Sequence, residues 1–302
     1  MQRKGVFMKI LNFGSLNIDM VYSVENIVSP GETVSSLNME LFPGGKGLNQ
    51  SIALARAGGE VYHAGLIGED GKMLSDILAE NGVNLKHLKT APCKTGHAII
   101  QVEESGENCI LLFAGANHQV TTDFIDEVLA DFSDGDILVL QNEISNLPYI
   151  VKKAADKGMK IVLNPSPFND VINKIDLNDL YCIILNEIEA QDISGTDVSD
   201  FENWVNKNYP DLKVMLTLGK NGCRFIEGKA SVYQPIFPVK AVDTTAAGDT
   251  FTGYFVVGHC NGKPINEILV KASAASALAV SKKGAAPSIP TRKEVEEFLN
   301  KL

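Results

Sequence analysis

Short apolar runs recur along the chain with room for one helix between them. Ile137 to Leu140, Ile161 to Leu163, Tyr181 to Leu185 and Val214 to Leu218 each precede or follow an amphipathic stretch. This rhythm constrains the fold most, because alternating strands and helices close as βαβ units around a parallel sheet covered by helices. Ligands of such sheets sit beyond the carboxyl ends of the strands. Polar clusters fall just there: Gln141, Asn142 and Glu143 after one run, Asn164 and Pro165 after the next, then Asn186 and Glu187. The expected class is α/β, with a central, mostly parallel sheet flanked by helices.

At 302 residues, 45% hydrophobic and 21% charged, the chain can bury a sizeable core in one large domain or two smaller ones, and disorder is excluded. The 27 Lys+Arg against 37 Asp+Glu leave a net charge of −10. That balance disfavours a general nucleic-acid or anionic-membrane binder, although a local positive pocket is compatible with it. Five cysteines without a CxxC pair and five histidines without HxxxH spacing suggest no disulfide framework and no zinc site. His63, His87, His97, His118 and His259 therefore read as structural. No apolar run approaches the ~20 residues of a bilayer span. The basic start, Met1 to Lys9, is not followed by a long apolar stretch, so a cytoplasmic location is expected, with residues 1 to 7 as a dispensable leader.

Two regions break the rhythm. Between Met20 and Leu41 no helical pattern appears, and Leu37, Met39 and Leu41 alternate with Ser36, Asn38 and Glu40 as in a half-buried strand. His97 to Glu103 and Asn108 to Phe113 read as a hairpin around Glu104 to Glu107. Together they predict a small extra sheet that could cover a substrate or pair with a second subunit.

Two motifs carry chemistry. Phe42 to Gln50, with glycines at 44, 45 and 47, runs into the helical pattern Ser51 to Ala57. Glycines at a helix start let backbone N–H groups approach a polar ligand. It is no Walker A loop, since no Gly-Lys pair of this chain precedes Ser or Thr, and no GxGxxG is present. In the second motif, Val242 to Phe251, the small residues Ala246, Ala247 and Gly248 precede Asp249 in the first turn of a helix. That pattern offers free N–H groups for an anion with a carboxylate beside them, the two groups phosphoryl transfer needs. Taken alone, the first is equally a tight turn and the second a favourable first-turn acid.

Taken together, Gly44 to Gln50 and Asp243 to Phe251 resemble the two signatures of the ribokinase (PfkB-type) family of sugar kinases. The matches continue in order: Gly14 to Asp19, Pro30 to Thr33, Asn108 to Asn117, the NxxE of Asn186 to Glu189, Thr217 to Gly222, and Lys283 to Ser288. The resemblance implies a ribokinase-like kinase domain over 8–302 with lid segments inserted at about 17–43 and 95–115. It also implies transfer of a phosphoryl group from ATP to the primary hydroxyl of a free sugar, with D-ribose to D-ribose 5-phosphate favoured. Asn17, Asp19, Gly45, Lys46, Asn49 and Glu143 would line the sugar site, where amides and carboxylates can hold several hydroxyls. Only Lys46 in that set is cationic, which favours an unphosphorylated, pentose-like sugar.

By the same resemblance Asp249 would be the base, with the amides of Ala246, Ala247 and Gly248 around the transferring group. Asn186 and Glu189 would organise Mg²⁺ and phosphates through water. Thr217, Leu218, Gly219, Lys220, Asn221 and Gly222 would run beside the nucleotide, together with Gly248 and Ser273. Many ribokinases have His at the position of Ser273, a departure that bears on nucleobase contacts and ATP preference. Asp243 and Ser288, with carbonyls of Thr245, Ala279, Lys282 and Gly284, would hold a monovalent cation, K⁺. A homodimer through the β lid is implied. The alternatives are a kinase for another pentose, a ketohexose or a nucleoside, and a non-catalytic sugar sensor on the same scaffold.

Overall fold

A computed structural model describes residues 8–301; the leader of residues 1 to 7 lies outside the described residues. The first half of the chain forms β1 (Ile10–Phe13), β2 (Asn17–Val24), β3 (Asn38–Gly44), α1 (Lys46–Arg56), β4 (Val61–Ile67), α2 (Lys72–Glu80), β5 (Asn84–Thr90), β6 (Gly96–Glu103), β7 (Asn108–Phe113), α3 (Thr122–Leu129) and β8 (Ile137–Gln141). It continues through α4 (Leu147–Asp156), β9 (Lys160–Asn164), β10 (Cys182–Asn186), α5 (Glu187–Ser194), α6 (Phe201–Asn208), β11 (Lys213–Thr217), β12 (Cys223–Glu227) and β13 (Ala230–Gln234). The helices α7 (Ala247–Cys260), α8 (Ile265–Val280) and α9 (Arg292–Leu299) complete the order.

The main sheet has the order β13-β12-β11-β10-β9-β8-β1-β4-β5. It is parallel from β11 to β5, and β12 and β13 join one edge antiparallel. Alternate residues of each central strand enter opposite cores. Ile10, Val139, Val162 and Ile184 pack with Ile52, Phe255 and Leu269 on one face. Leu11, Leu138, Leu163 and Ile183 pack with Ile125, Val128 and Ile150 on the other. Burial on both faces is why these strands read as unbroken apolar runs. From β1 the chain builds outward through β4 and β5, then crosses over to build β8 to β11 on the other side. The order thus reverses between β1 and β8, and the carboxyl ends of these two strands are where the ligand crevice of such a sheet is expected.

The second sheet has the order β3-β2-β6-β7. Its hairpin lies where the sequence places it, with β6 antiparallel to β7. The expected half-burial of Leu37, Met39 and Leu41 does not hold: all three are exposed, as are Ile110, Leu111, Leu112 and Phe113 of β7. Nothing among the described residues covers that surface of the sheet. Among the described residues no helix is long and apolar enough to cross a membrane.

The first helix also departs from expectation, beginning at Lys46 and not at Ser51. Its opening turn carries Gly47, Asn49 and Gln50, all buried, because that turn faces polar groups at the strand ends and not the apolar core. α7 runs alongside α1 with the two N-termini together. Asn49 meets Asp249, and one turn on Gly253 lies against Ala53. A Cβ on Gly253 would stand 2.6 Å from the Ala53 carbonyl carbon and 2.7 Å from the Leu54 nitrogen. Only glycine lets the two backbones approach this closely. Gly253→Ala is expected to cost about 1–3 kcal/mol, as overpacking does when the obstacle is backbone. Urea denaturation measures it, and an unchanged midpoint would show that the contact has slack.

Candidate active site

The crevice at the ends of β1 and β8 gathers the sugar-site candidates. Asn17 opens β2, is 5% exposed, and its Oδ1 accepts from Asn117 Nδ2 at 2.8 Å. Asn117 also accepts from the Leu16 amide at 3.0 Å, so it holds the segment between β1 and β2 in place. Asp19 projects over Gly44, where any side chain would overlap its carboxylate. Burial, with Glu143 nearby, pushes the Asp19 carboxyl up to about 6. Glu143 is raised by burial too; the negative charge of Asp249 adds to this, while Ser15 and Lys46 oppose it. Among the described residues Asp19, Glu143 and Asp249 gather here with Lys46 the cation beside them, an arrangement costly for a fold to keep and therefore a candidate functional site.

The N-terminus of α1 is not open to a ligand. The Lys46 amide donates to Glu143 Oε2 at 3.1 Å, the Gly47 amide to Ser15 Oγ at 3.3 Å and the Leu48 amide to the Ser15 carbonyl at 3.0 Å. Ser15 Oγ donates in turn to Glu143 Oε2. The glycine-rich turn therefore draws in an anion, as its sequence suggests, but that anion is the protein's own Glu143. Gly45, with φ of 94°, sets the helix start, and the Lys46 side chain is half-buried at its mouth.

The N-terminus of α7 differs. Ala246 precedes the helix in the left-handed region with φ of 60°, a conformation costing about 1–3 kcal/mol for a residue with a Cβ. The Ala247 amide is taken by the Thr244 carbonyl at 3.2 Å. The Ala246, Gly248 and Asp249 amides have no partner among the described residues, so of the three donors the sequence pointed to, 246 and 248 are open, 247 is not, and Asp249 adds a further one. The carboxylate of Asp249 is 8% exposed and accepts from Asn49 Nδ2 at 3.1 Å and Gln50 Nε2 at 2.9 Å. Open amides and a buried, doubly anchored carboxylate thus stand together at one helix mouth.

Further along the same rim, Asn186 ends β10 in register with Thr217 at the end of β11. Asn186 and Glu189 form a reciprocal capping box on α5, at 2.9 and 3.0 Å, which leaves one oxygen of Glu189 and the Asn186 side-chain nitrogen without a protein partner among the described residues. Leu218 to Gly222 make a tight turn closed by the Leu218 amide on the Gly222 carbonyl at 2.8 Å. It carries Gly219, Lys220 and Asn221 as one helical turn. Ser273 lies on α8, nearly buried, 3.7 Å from Cys223 Sγ. Asp243 accepts from the Thr245 and Gly284 amides, each at 2.9 Å, tying the loop before α7 to the segment that carries Ala279, Lys282, Gly284 and Ser288. Ser288 is fully buried, with its hydroxyl on the Ala285 carbonyl at 2.8 Å.

The sequence marks Gln141 as a rim position after a strand and places Ser15, Gln50 and Asn117 inside the matched motifs, but assigns none of the three motif residues an individual role. Of the histidines read as structural, His63 is fully buried against Ser51 Oγ at 2.8 Å, and burial drives it down to about 3.

A doubly wound sheet with open helix amides and a buried carboxylate at its switch point defines a phosphotransferase of the α/β kinase class. The comparisons narrow this. Residues 8–292 match the pfkB family carbohydrate kinase domain, and the chain belongs to that family. It is 38% identical to the ribokinase of Haemophilus influenzae over 298 residues, covering 95% of this chain and 96% of that protein. A ribokinase structure from Thermotoga maritima superposes with a TM-score of 0.87 at 33% identity, over 97% of this chain and 100% of that one. Arabidopsis thaliana ribokinase complexed with ribose and ATP superposes with 0.86 at 31% identity, over 97% and 98%.

The raised Asp19 carboxyl fixes the sign of a stability change. Its proton is held more tightly in the folded protein, so stability is lost as pH rises from the unfolded value of 3.8 through about 6. Asp19→Asn should therefore stabilise the free protein by on the order of 2–3 kcal/mol at pH 7.5 and by about a third of that at pH 4.5. Thermal melts at the two pH values measure it. A variant less stable than wild type at pH 7.5 would contradict the assignment.

Proposed function

We propose that this chain transfers the γ-phosphoryl group of ATP to the primary hydroxyl of free D-ribose, giving D-ribose 5-phosphate. The observation that carries the reading is Asp249, held at the mouth of α7 beside the open amides of Gly248 and Asp249. A carboxylate anchored on both oxygens can take the hydroxyl proton as the oxygen attacks, and adjacent donors stabilise the charge of the transferring group. The similarity to ribokinases over nearly the whole chain supports ribose as acceptor. The crevice supports it too: Asn17, Asp19, Gly45, Lys46, Asn49 and Glu143 offer amides and carboxylates for hydroxyls and one cation, which suits an uncharged sugar.

The nucleotide would lie along the rim from α7 to Ser273 and the Thr217 to Gly222 turn. Mg²⁺ would supply charge neutralisation on the phosphates. The uncommitted oxygen of Glu189 and the Asn186 side chain fit a water-mediated approach to it. Around Asp243 and Ser288 the donor set is all oxygen, which fits K⁺, and the Asp243 to Gly284 contact shows that the two segments converge. There these residues would fix the loop before α7 without touching substrate. The second sheet would act as a lid over the sugar, excluding water. Its exposed β3 and β7 side chains would pair with a second copy of the chain to form a homodimer.

Asp249→Asn should leave ribose binding largely intact and lower kcat by about 10²- to 10⁴-fold, the range for a positioned base. A folded variant within a fewfold of wild type would remove Asp249 from that role. Coupled ADP-release assays across ribose, deoxyribose, fructose and adenosine should show ribose with the highest kcat/KM. Faster turnover of a nucleoside would overturn the acceptor. The ribose rate should rise when K⁺ replaces Na⁺, and equal rates in both buffers would argue against the cation site.

A further inference from the structure

Behind Asp249, away from the crevice, runs a file of buried amides. Gln50 and Gln141 are both 0% exposed. Gln50 Nε2 donates to Asp249 Oδ1 at 2.9 Å, and Gln50 Oε1 accepts from Gln141 Nε2 at 2.6 Å. Gln141, the last residue of β8, donates its second hydrogen to Asn12 Oδ1 at 2.9 Å. Asn12 Nδ2 then donates to the Gly47 carbonyl at 2.6 Å and Ser51 Oγ at 2.7 Å, which returns the file to α1.

The direction of every bond follows from one charge. An ionised carboxylate only accepts, so Gln50 must present its NH₂ group; its carbonyl then faces Gln141, which must donate in turn. Reversing either amide would set oxygen against oxygen. The cost of the arrangement is visible at Gln141 Oε1, which is buried without a partner and stands where a Cβ on Gly14 would have to go. A buried acceptor left unpaired works against folding. The fold keeps it, and with it both Gln141 donors in place.

We propose that Gln50, oriented by Gln141, is a positioning residue of the phosphoryl transfer. It fixes the rotation of the Asp249 carboxylate without itself touching the sugar. Asn49 anchors the other oxygen from inside the crevice. The assignment rests on the reading of Asp249 as the base, and the test separates the two.

Four variants are compared with wild type in steady-state assays with ribose and Mg-ATP: Gln50→Leu, Gln141→Leu, Asp249→Asn and the Gln50→Leu/Asp249→Asn pair. Rates are expressed per ribose-binding site. Gln50→Leu should lower kcat by about 10- to 100-fold while KM for ribose and ATP stays within about threefold, and Gln141→Leu should shift kcat the same way by less. In the Asp249→Asn background the Gln50 substitution should change the residual rate by less than about twofold, because the group it positions has lost its function. Equal fold-losses in both backgrounds would make Gln50 a purely structural residue and overturn the proposal, as would a Gln50→Leu kcat within about twofold of wild type. A near-normal Asp249→Asn rate would instead remove the base itself. Should Gln50→Leu fail to fold, the same cycle built on Gln141→Leu decides, with the same two outcomes.

Discussion

The close approach of α1 and α7 is the contact on which the rest of the site depends. Gly253 against the Ala53 backbone brings the two helices together, and one turn earlier the same approach sets Asn49 and Gln50 on the two oxygens of Asp249. Both helices begin at the carboxyl end of the sheet, so their N-terminal dipoles point into one crevice. Were the spacing wider by one methyl group, Asp249 would lose both anchors. Packing in the core, a turn away from solvent, therefore sets the chemistry at the rim.

The two helix mouths meet their unsatisfied amides in opposite ways. α1 closes on an internal anion, Glu143, which Ser15 and the Lys46 amide hold at the helix start. α7 leaves the Gly248 and Asp249 amides open and sets its carboxylate beside them. Under the proposed function this is a division of labour: a helix terminus neutralised by a protein carboxylate suits hydroxyls, while an open one suits a phosphoryl group. The left-handed Ala246 belongs to the same device. It turns the chain sharply enough that no residue before the helix caps those amides, at the expense of local strain.

The architecture was legible in the sequence because strands buried on both faces leave continuous apolar runs, and the hairpin of the second sheet was legible because its two runs flank a short polar turn. The start of α1 was not. Its first turn packs against Ser15, Asn12 and Glu143, so Gly47, Asn49 and Gln50 interrupt the apolar period that marks the rest of the helix. Exposure of Leu37, Met39 and Leu41 was also hidden, since alternation reports which side chains share a face and not whether anything covers it. Gln50, Gln141 and Asn117 act through partners roughly ninety to two hundred positions away in the chain, and no local pattern reports such pairs. Asp249 and its small neighbours stand out only together with the Gly44 to Gln50 signature, because an acid in the first turn of a helix is common by itself.

The net charge of −10 poses a problem for any protein that binds a nucleoside triphosphate, and the rim indicates how it is met. Side chains of like sign repel phosphates over a distance set by screening, about 8–10 Å at physiological salt. Backbone amides act only at contact and are unaffected by the sign of the surface. Under the proposed function the open amides of Gly248 and Asp249 at α7 place such groups beside the transferring phosphoryl group, whereas in the turn after β11 the Asn221 and Gly222 amides are taken by the Leu218 and Gly219 carbonyls; Lys46 is confined to the mouth of α1. A side chain over those α7 amides would stand between donor and ligand, whereas a lost surface cation would change only a screened, distant interaction.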